Sequence, residues 1–389
     1  MIQRIAEQTI RKLLRGFPIV TVTGPRQSGK TTLAKAVFRE LPYVSLEDPD
    51  SRFTAQEDPR SFLRRFQGGA VLDEIQRCPL LFSYLQTMVD ADGRMGPFVL
   101  TGSQQFGLMS RITQSLAGRT AFVELLPFSV QELARAGKLL ASVDAILTTG
   151  CYPPLYDREL MPSSWFGAYV ASYVERDVRQ LLKIQELETF QRFVRLCAGR
   201  TGQLLNLSSL ATECGITHNT AKSWISVLEA SYLVFLLRPH HASFHKRLVK
   251  MPKLYFYDVG LVSWFLGIRT QEQMETHPLR GNIFETFIIS ELIKAQLNQG
   301  ERPAFFFWRD SNGNEIDLIV EQGTKLIPIE IKSGMTLTPD SFSGLAKWCS
   351  LAGEAATNPR LIYAGEEKYQ HKGINVLGWR KSGENTPNQ

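Results

Sequence analysis

The chain has 389 residues, 43% of them apolar, which is enough for more than one hydrophobic core and predicts two to four domains. No apolar run reaches the roughly 18 residues of a membrane helix, and charges interrupt the N-terminal stretch, so we expect a cytoplasmic protein without membrane association. The five cysteines include no C-x-x-C pair, which argues against a disulfide framework or zinc knuckle, and the net charge of +6 is compatible with nucleic acid without requiring it.

A phosphate-binding loop follows the first predicted strand. Residues 24–31 read Gly-Pro-Arg-Gln-Ser-Gly-Lys-Thr and match G-x-x-x-x-G-K-[ST], with an apolar strand before them and a helical pattern after them. In such a loop backbone N–H groups surround a phosphate, Lys30 reaches the β and γ oxygens, and the Thr31 hydroxyl ligates Mg²⁺. The residues predicted to bind ATP and its Mg²⁺ are Gly24, Pro25, Arg26, Gln27, Ser28, Gly29, Lys30, Thr31, Thr32 and Asp73.

Two further strands end in polar residues that suit hydrolysis. The strand in "GGAVLDEIQ" ends at Asp73 and Glu74, of which the first is expected to hold the Mg²⁺ shell and the second to activate the attacking water. The strand in "PFVLTGSQQ" is expected to place Ser103 or Gln104 beside the γ-phosphate. The catalytic residues predicted in this part of the chain are therefore Lys30, Glu74 and Ser103.

These motifs, followed by "SLAGRTAFVELLPFS", resemble the AAA+ ATPases. More narrowly, the chain resembles prokaryotic ATP-binding proteins that carry a C-terminal DUF4143-type, PD-(D/E)XK nuclease-like domain. The resemblance implies a homo-oligomer, a ring in which an arginine reaches the neighbouring subunit's γ-phosphate. Arg119 matches that position and Arg111 competes with it. The alternative is that Arg119 pairs with an acidic neighbour or a helix-end carbonyl.

The family likeness also implies a helical lid after the ATPase core. Its opening turn matches Gly150-Cys151-Tyr152-Pro153, in which a cysteine replaces one expected glycine. Glu175, Arg176 and Asp177 in the following helix are expected to form ion pairs within the lid rather than to act in catalysis.

The stretch from 204 to 240 has the pattern of a winged helix-turn-helix. We expect Ser208 to cap the first helix, Cys214-Gly215 to form the turn and Thr217 to cap the second helix. The outward face of that helix and the basic segment after the predicted strand favour DNA as a partner, although winged helices also bind proteins. The candidate DNA-binding residues are His218, Asn219, Lys222, Lys246, Arg247 and Lys250, with Ser223, Arg238 and Lys253 nearby.

The C-terminal part carries spaced carboxylates and one lysine. Glu285 lies on a predicted helix, and Asp317, Glu330 and Lys332 lie on neighbouring predicted strands. Acids that hold a divalent cation and a lysine that stabilises charge suit a Mg²⁺-dependent phosphodiesterase. The pattern resembles the PD-(D/E)XK nucleases, without the proline of the motif. The alternative is an inactive domain whose acids pair with Lys332, and Lys325 and Arg309 could line the same groove.

The sequence therefore predicts a multidomain α/β protein: a P-loop AAA+ core with helical lid, a winged helix-turn-helix, and a restriction-endonuclease-like α/β C-terminal domain. The predicted boundaries are 1–147, 148–200, 201–277 and 278–380, with a disordered tail at 381–389. Three functions fit: a DNA translocase or remodelling motor driven by ATP and Mg²⁺, an ATP-gated nuclease, and an ATP-dependent switch that binds other proteins.

Overall fold

The protein is described by a computed structural model at residues 2–103, 115–158, 160–174, 187–240 and 249–383. It forms two compact units, Met1–Phe128 with Gln296–Glu301 and Ser129–Ala295 with Arg302–Gln389. The predicted lid, middle and C-terminal segments all lie in the second unit, and the boundaries within it stay predictions. Several residues singled out in the sequence lie outside the described ranges: Gln104, Arg111, Glu175, Arg176, Asp177, Lys246, Arg247 and most of the C-terminal tail.

The first unit contains a five-stranded parallel sheet in the order β2-β3-β4-β1-β5. Its strands are β1 Ile19–Thr23, β2 Tyr43–Ser45, β3 Ala70–Asp73, β4 Phe98–Gly102 and β5 Thr120–Glu124. Its helices are α1 Ala6–Leu13, α2 Lys30–Val37, α3 Pro49–Glu57, α4 Pro59–Arg64 and α5 Leu81–Asp92, with a 3₁₀ turn Ile75–Arg77. Strands β1, β3 and β4 are buried along their whole length, as expected for a parallel sheet covered on both faces.

The second unit is longer and mixes helices with strands. Its helices are α6 Val130–Arg135, α7 Val143–Thr149, α8 Pro153–Asp157, α9 Pro162–Tyr169, a π-helical Val170–Val174, α10 Leu187–Ala198, α11 Leu207–Cys214, α12 His218–Ala230, α13 Val259–Phe265, α14 Gln271–Glu275, α15 Arg280–Asn298 and α16 Ser343–Ala352. The last three residues of α15 belong to the first unit. Short 3₁₀ turns cover Pro339–Phe342, Gly353–Ala355 and Trp379–Lys381. No helix among the described residues is both long and apolar enough to cross a membrane.

One nine-stranded sheet runs through the second unit in the order β13-β14-β12-β11-β10-β9-β7-β8-β6. Its strands are β6 Gln203–Leu204, β7 Val234–Pro239, β8 Lys253–Phe256, β9 Phe305–Arg309, β10 Glu315–Gln322, β11 Lys325–Lys332, β12 Arg360–Tyr363, β13 Lys368–His371 and β14 Ile374–Gly378. Strand β7 pairs in parallel with β9, through Arg238 with Phe306 and Pro239 with Phe307. The strands of the middle and C-terminal segments therefore share a sheet.

The turn at Gly150 is fixed by a buried aspartate from the same unit. Asp258 accepts a hydrogen bond from the backbone N–H of Cys151 at 2.7 Å, and a Cβ on Gly150 would lie 2.3 Å from an Asp258 oxygen. Gly150 has a φ of 73°, so glycine is required here on both grounds. The cysteine that replaces the expected glycine is buried, and its own φ is not in the left-handed region, so its backbone does not require a glycine.

Helices α11 and α12 are joined by a tight turn. Thr217 caps α12 by accepting from the N–H of Thr220, and Gly215 adopts a left-handed φ of 71°, both as predicted. The predicted cap at Ser208 is wrong, because Asn206 begins α11 and accepts from the N–H of Ser209. Asparagine and serine are both good N-cap residues, so the sequence alone did not separate two candidates two positions apart.

Candidate nucleotide-binding site

The phosphate-binding loop joins the end of β1 to the start of α2. Gly24 has a φ of 143°, and a Cβ there would lie 2.2 Å from the carbonyl oxygen of Leu125, so only glycine fits. Gly29 precedes α2 in the left-handed region, with a φ of 94°. This conformation opens the helix N-terminus toward the loop, where its unpaired N–H groups favour an anion.

Lys30 lies buried inside this loop. Its Nζ donates to the backbone carbonyls of Gly24 at 3.0 Å and Pro25 at 2.7 Å. Burial lowers the pKa of Lys30 to about 8, against the opposing attraction of the Glu74 and Asp73 charges. The ammonium is therefore held by neutral acceptors, which the more strongly accepting oxygens of a polyphosphate can replace.

The other loop residues differ in exposure. Ser28 is buried, and its backbone carbonyl accepts a hydrogen bond from Arg4 at 2.7 Å. Gln27 and Thr32 are exposed, and Gln27 has a left-handed φ of 60°. Arg26 is partly exposed beside them. The predicted loop residues thus form one continuous segment, in which some polar side chains face the inside of the loop and others lie on its exposed rim.

Asp73 is the residue that brings the two predicted motifs together. One carboxylate oxygen accepts from the Thr31 hydroxyl at 2.9 Å and from the Tyr43 hydroxyl, and the other accepts from the Thr101 hydroxyl. Burial and this hydrogen bond raise the pKa of Tyr43, so the phenol stays protonated and donates to Asp73. Asp73 is thereby fixed in orientation at the edge where β3 ends.

Thr31 and Asp73 fit the Mg²⁺ that accompanies a nucleotide. A threonine hydroxyl and a carboxylate 2.9 Å apart supply oxygen donors of the type that hard cations prefer, next to a loop suited to phosphates. When bound, the ion would neutralise charge on the β and γ phosphates. These two residues would hold it from the protein side.

Glu74 lies beside this pair in a strained conformation. Its backbone has φ 54° and ψ 46°, a left-handed region that non-glycine residues seldom occupy outside functional sites. The carboxylate accepts from the Ser103 hydroxyl at 3.1 Å and from the Gln76 amide. The structure thus brings Glu74 and Ser103 together, while the predicted place of Ser103 beside the γ-phosphate stays a prediction.

Three residues of this site were not predicted: Tyr43, Gln76 and Thr101. Thr101 and Gln76 lie at or just after the carboxyl ends of predicted strands, where ligands of parallel sheets bind, so their positions were an available signal. Tyr43 begins β2, a strand that was not predicted, and had no such signal. The sequence could not show that all three side chains turn toward Asp73 or Glu74.

Arg119 forms an ion pair on the surface of its own unit. Its guanidinium donates to both carboxylate oxygens of Asp90, at 2.5 and 2.8 Å, and to the carbonyl of Ala117 at 3.1 Å. Because β5 runs parallel to β1, Arg119 lies at the edge where the strands begin, away from its own phosphate-binding loop. The pairing matches the alternative considered above, and a role toward a neighbouring subunit stays a prediction.

The predicted outward face of α12 is exposed. His218, Asn219, Lys222 and Ser223 are exposed, while Ala221, Trp224, Ile225 and Leu228 are buried. Lys250 and Arg238 are also exposed. Lys253 is not, because its side chain is only 4% accessible and forms ion pairs, so its inclusion with the surface cations was wrong.

The C-terminal acids are brought close together but already have partners. Glu285 accepts from Lys253 at 2.9 Å, Asp317 accepts from the N–H of Ile331 at 2.8 Å, and Glu330 accepts from Lys332 at 2.6 Å. No group of three metal-binding side chains is placed to hold an ion within the described ranges. In this structure the three acids of the predicted second Mg²⁺ site, Glu285, Asp317 and Glu330, are thus paired within the chain, and their binding of an ion stays a prediction.

The pKa values of these acids reflect burial and mutual repulsion. Burial first, and then the Asp317 charge, raises the pKa of Glu285 to about 7 and that of Glu330 to about 8. Burial also raises the pKa of Asp317.

Lys325 donates to the carbonyl of Glu354 instead of lining a groove, and Arg309 pairs with Glu315 at 3.0 Å.

Three family models match the chain in succession. Residues 16–134 match an AAA domain, residues 140–272 match the domain of unknown function DUF8612, and residues 280–381 match the domain of unknown function DUF4143. The first match covers the phosphate-binding loop together with Asp73, Glu74 and Ser103. The protein is thus an AAA-type ATPase with a DUF4143 C-terminal domain.

Two uncharacterized proteins, of Mycobacterium tuberculosis and Mycobacterium bovis, are each 30% identical over 371 residues, which are 94% of this chain and 81% of the relative. Among solved structures, a Walker-type ATPase of Pyrococcus abyssi matches with a TM-score of 0.47 at 15% identity, over 68% of this chain and 96% of that one. AMPPCP-bound DnaA from Aquifex aeolicus matches with a TM-score of 0.32 at 15% identity, over 58% and 86%. With such low scores and identities, the solved structures carry no functional conclusion.

Proposed function

This chain belongs to the same family as the two mycobacterial proteins, and from its AAA domain and site geometry we propose that it hydrolyses ATP with Mg²⁺ and couples hydrolysis to DNA. The observation that carries the ATPase part is the contact of Asp73 with Thr31, beside Glu74. Through this contact a phosphate-binding loop, a pair of residues suited to a cation and a carboxylate suited to act as a base lie at the same edge of the sheet. Few other chemistries need these three together.

The roles follow from the contacts. Lys30 leaves the carbonyls of Gly24 and Pro25 and pairs with the β and γ phosphate oxygens, where its charge opposes the charge that develops in the transition state. Thr31 and Asp73 would hold the cation. Glu74 would orient the attacking water and accept its proton, since it directly follows β3 at the edge of the sheet where β1 leads into the phosphate-binding loop.

Ser103 links the neighbouring strand to the base. It donates to the same Glu74 oxygen that Gln76 contacts, so a shift of the γ-phosphate next to Ser103 would redirect Glu74. Loss of the γ-phosphate after hydrolysis would thus be felt at the end of β4.

DNA is proposed as the partner because of the exposed polar face of α12. Lys222 and Asn219 are of the residue types that contact phosphates and base edges, and both are exposed on one helix. The exposed cations Arg238 and Lys250 add to the electrostatic attraction. In this proposal the protein acts as an oligomeric motor that moves along or remodels duplex or branched DNA.

A second candidate is an ATP-dependent switch whose second unit binds proteins. It is favoured by the small number of cations on the exposed face of α12, where Lys222 is the single lysine or arginine among His218, Asn219, Lys222 and Ser223. Nonspecific DNA binding relies on several neutralised phosphates, so one lysine contributes little.

Steady-state ATPase measurements separate the two. The rate is measured without DNA and with single-stranded, linear duplex and four-way junction DNA, and the DNA is then run on a gel. The motor proposal expects one DNA form to stimulate turnover, and Lys222→Ala to weaken that stimulation while the DNA-free rate stays unchanged. Lys12→Ala, an exposed lysine of α1, is the matched control. A rate that no DNA changes contradicts the motor and favours the switch.

Glu74→Gln tests the ATPase part by itself. The amide keeps the shape of the side chain but cannot take the proton of water, so we expect turnover to fall by about 100-fold or more while ATP binding is retained. Equilibrium binding of a labelled nucleotide, measured beside the turnover rate, checks this. Unchanged turnover would contradict the assigned role of Glu74.

A further inference from the structure

Lys253 is an almost fully buried lysine at the centre of the C-terminal acids. Its Nζ lies 2.9 Å from a carboxylate oxygen of Glu285 and forms a second ion pair with Glu315. The ring of Phe307 lies below it, with its centroid 5.6 Å from the nitrogen. Lys253 comes from β8 in the middle segment, whereas the acids come from α15 and β10 in the C-terminal segment.

The remaining hydrogen bonds engage oxygens that a metal ion would use as ligands. Glu285 also accepts from the Tyr255 hydroxyl, and Asp317 is held by the backbone N–H of Ile331 at 2.8 Å. Glu330 is held by Lys332, and its second oxygen is buried without a hydrogen-bond partner. A divalent cation needs several carboxylate oxygens that converge at about 2.0–2.6 Å. Here one oxygen of each of Glu285, Asp317 and Glu330 is already taken by a cationic or hydrogen-bonding group of the chain.

We infer that Lys253 supplies from within the chain the positive charge that this acid cluster would otherwise take from a divalent cation. An ammonium held between two carboxylates neutralises them without any ligand from solution. The acids are then internal ion-pair partners that fasten β8 to α15 and β10. It follows that the second unit cleaves no phosphodiester through a metal ion at Glu285, Asp317 and Glu330.

Binding of Mn²⁺ to the nucleotide-free full chain tests the inference, with the free ion followed by electron paramagnetic resonance. Mn²⁺ is chosen because it takes the same oxygen ligands as Mg²⁺ and is directly detected. The compared proteins are the wild type, Lys253→Met, Lys253→Met with Asp317→Asn, and the control Lys250→Met, which removes an exposed lysine three residues away. The phosphate-binding loop is unaltered in all four, so differences between them report on the acid cluster.

We expect the wild type and Lys250→Met to show the same weak binding. Lys253→Met should bind Mn²⁺ about tenfold or more tightly, because Glu285 and Glu315 lose their resident cation beside Asp317, and Asp317→Asn should reverse that gain. A folded Lys253→Met protein that binds no more Mn²⁺ than the wild type overturns the inference.

The wild type alone also tests it, should Lys253→Met not fold. Wild-type Mn²⁺ binding that Asp317→Asn abolishes, or Mg²⁺-dependent DNA cleavage that Asp317→Asn abolishes, overturns the inference. The inference is supported if Asp317→Asn changes neither the Mn²⁺ binding nor the DNA cleavage measured for the wild type. These outcomes are independent of the ATPase, because they require no nucleotide and no change near Lys30.

Discussion

Two buried lysines of this chain, Lys30 and Lys253, have opposite electrostatic surroundings. Lys30 rests on two neutral backbone carbonyls, and burial lowers its pKa to about 8. Lys253 rests on two carboxylates, whose attraction outweighs burial and raises its pKa. In the function we propose, the first lysine gains charge partners when a polyphosphate binds, whereas the second already has them. Identical side chains thus rest on neutral acceptors in one unit and on carboxylates in the other.

The contrast between the two lysines is tested most directly by substituting each of them in turn. Lys30→Ala should lower ATP turnover by about 100-fold or more, because the transition-state charge loses its cation, with little effect on unfolding. Lys253→Met should leave buried acids without their partner and lower the free energy of unfolding of the second unit by about 3–5 kcal/mol. Turnover and urea denaturation are measured on both variants. Equal effects of the two substitutions on turnover would contradict the distinction.

Tryptophan fluorescence makes the second measurement specific. All six tryptophans lie in the segments of the second unit, so their signal follows that unit alone. Trp308, Trp348 and Trp379 are fully buried, and their emission should shift on unfolding.

Arg119 tests whether a third cation behaves like Lys30 or like Lys253. If Arg119 reaches a neighbouring subunit's nucleotide, Arg119→Ala should lower turnover by about 100-fold while Asp90→Ala changes it by no more than about twofold. If the ion pair with Asp90 is its whole role, the two variants should behave alike, since such an exposed pair contributes little to stability. Mixing Arg119→Ala with Lys30→Ala protein supplies a further check. Only an arginine acting across subunits restores turnover in the mixture.

The acids around Lys253 should also make the stability of the second unit depend on pH. Glu285 and Glu330 have pKa values of about 7 and 8 when folded, above those of an unfolded chain, so the folded unit binds more protons between about pH 4.5 and 8. Its free energy of unfolding should therefore fall as pH rises through that window, by several kcal/mol and at most roughly 8 kcal/mol for this pair. Glu330→Gln should remove part of the slope, as measured by tryptophan fluorescence in urea. An unchanged slope in Glu330→Gln would contradict the assignment.

The smallest expected effect concerns protons at Lys30. With a pKa of about 8, the unbound lysine is largely neutral at pH 8.5, and phosphate oxygens should restore its charge. ATP binding should then take up roughly 0.7 proton at pH 8.5 and roughly 0.1 at pH 7 through this group. Calorimetry in buffers of different ionisation enthalpy measures the uptake. Lys30→Ala should abolish the difference between the two pH values, and an undiminished difference would contradict it.

The sequence was most informative where a motif fixes both spacing and backbone. A strand and a helix recognised in the flanking sequence were enough to predict where the loop from Gly24 to Thr31 lies. The same holds for the strand that ends at Asp73 and Glu74. The apolar and polar faces of α12 followed in the same way from helical periodicity.

Contacts between distant segments were not predictable in the same way. The partners of Lys253 and Arg119 lie 32 and 29 residues away, and each lysine or arginine of the chain had many acids to choose from. Lys253 looked like a surface cation because it follows a basic stretch. The pairing of β8 with β7, and of β7 with β9, brings its strand beside the C-terminal strands, and its ion pairs show that it points into the acid cluster.

The shared nine-stranded sheet sets where this chain can be cut. A fragment that begins at Arg280 would match the DUF4143 region, yet it would leave the edge of β9 unpaired where β7 had covered it. The same fragment would keep Glu285 and Glu315 while losing Lys253. A usable expression fragment of the C-terminal region must therefore extend back to include β7 and β8, even though a family boundary lies between them and α15.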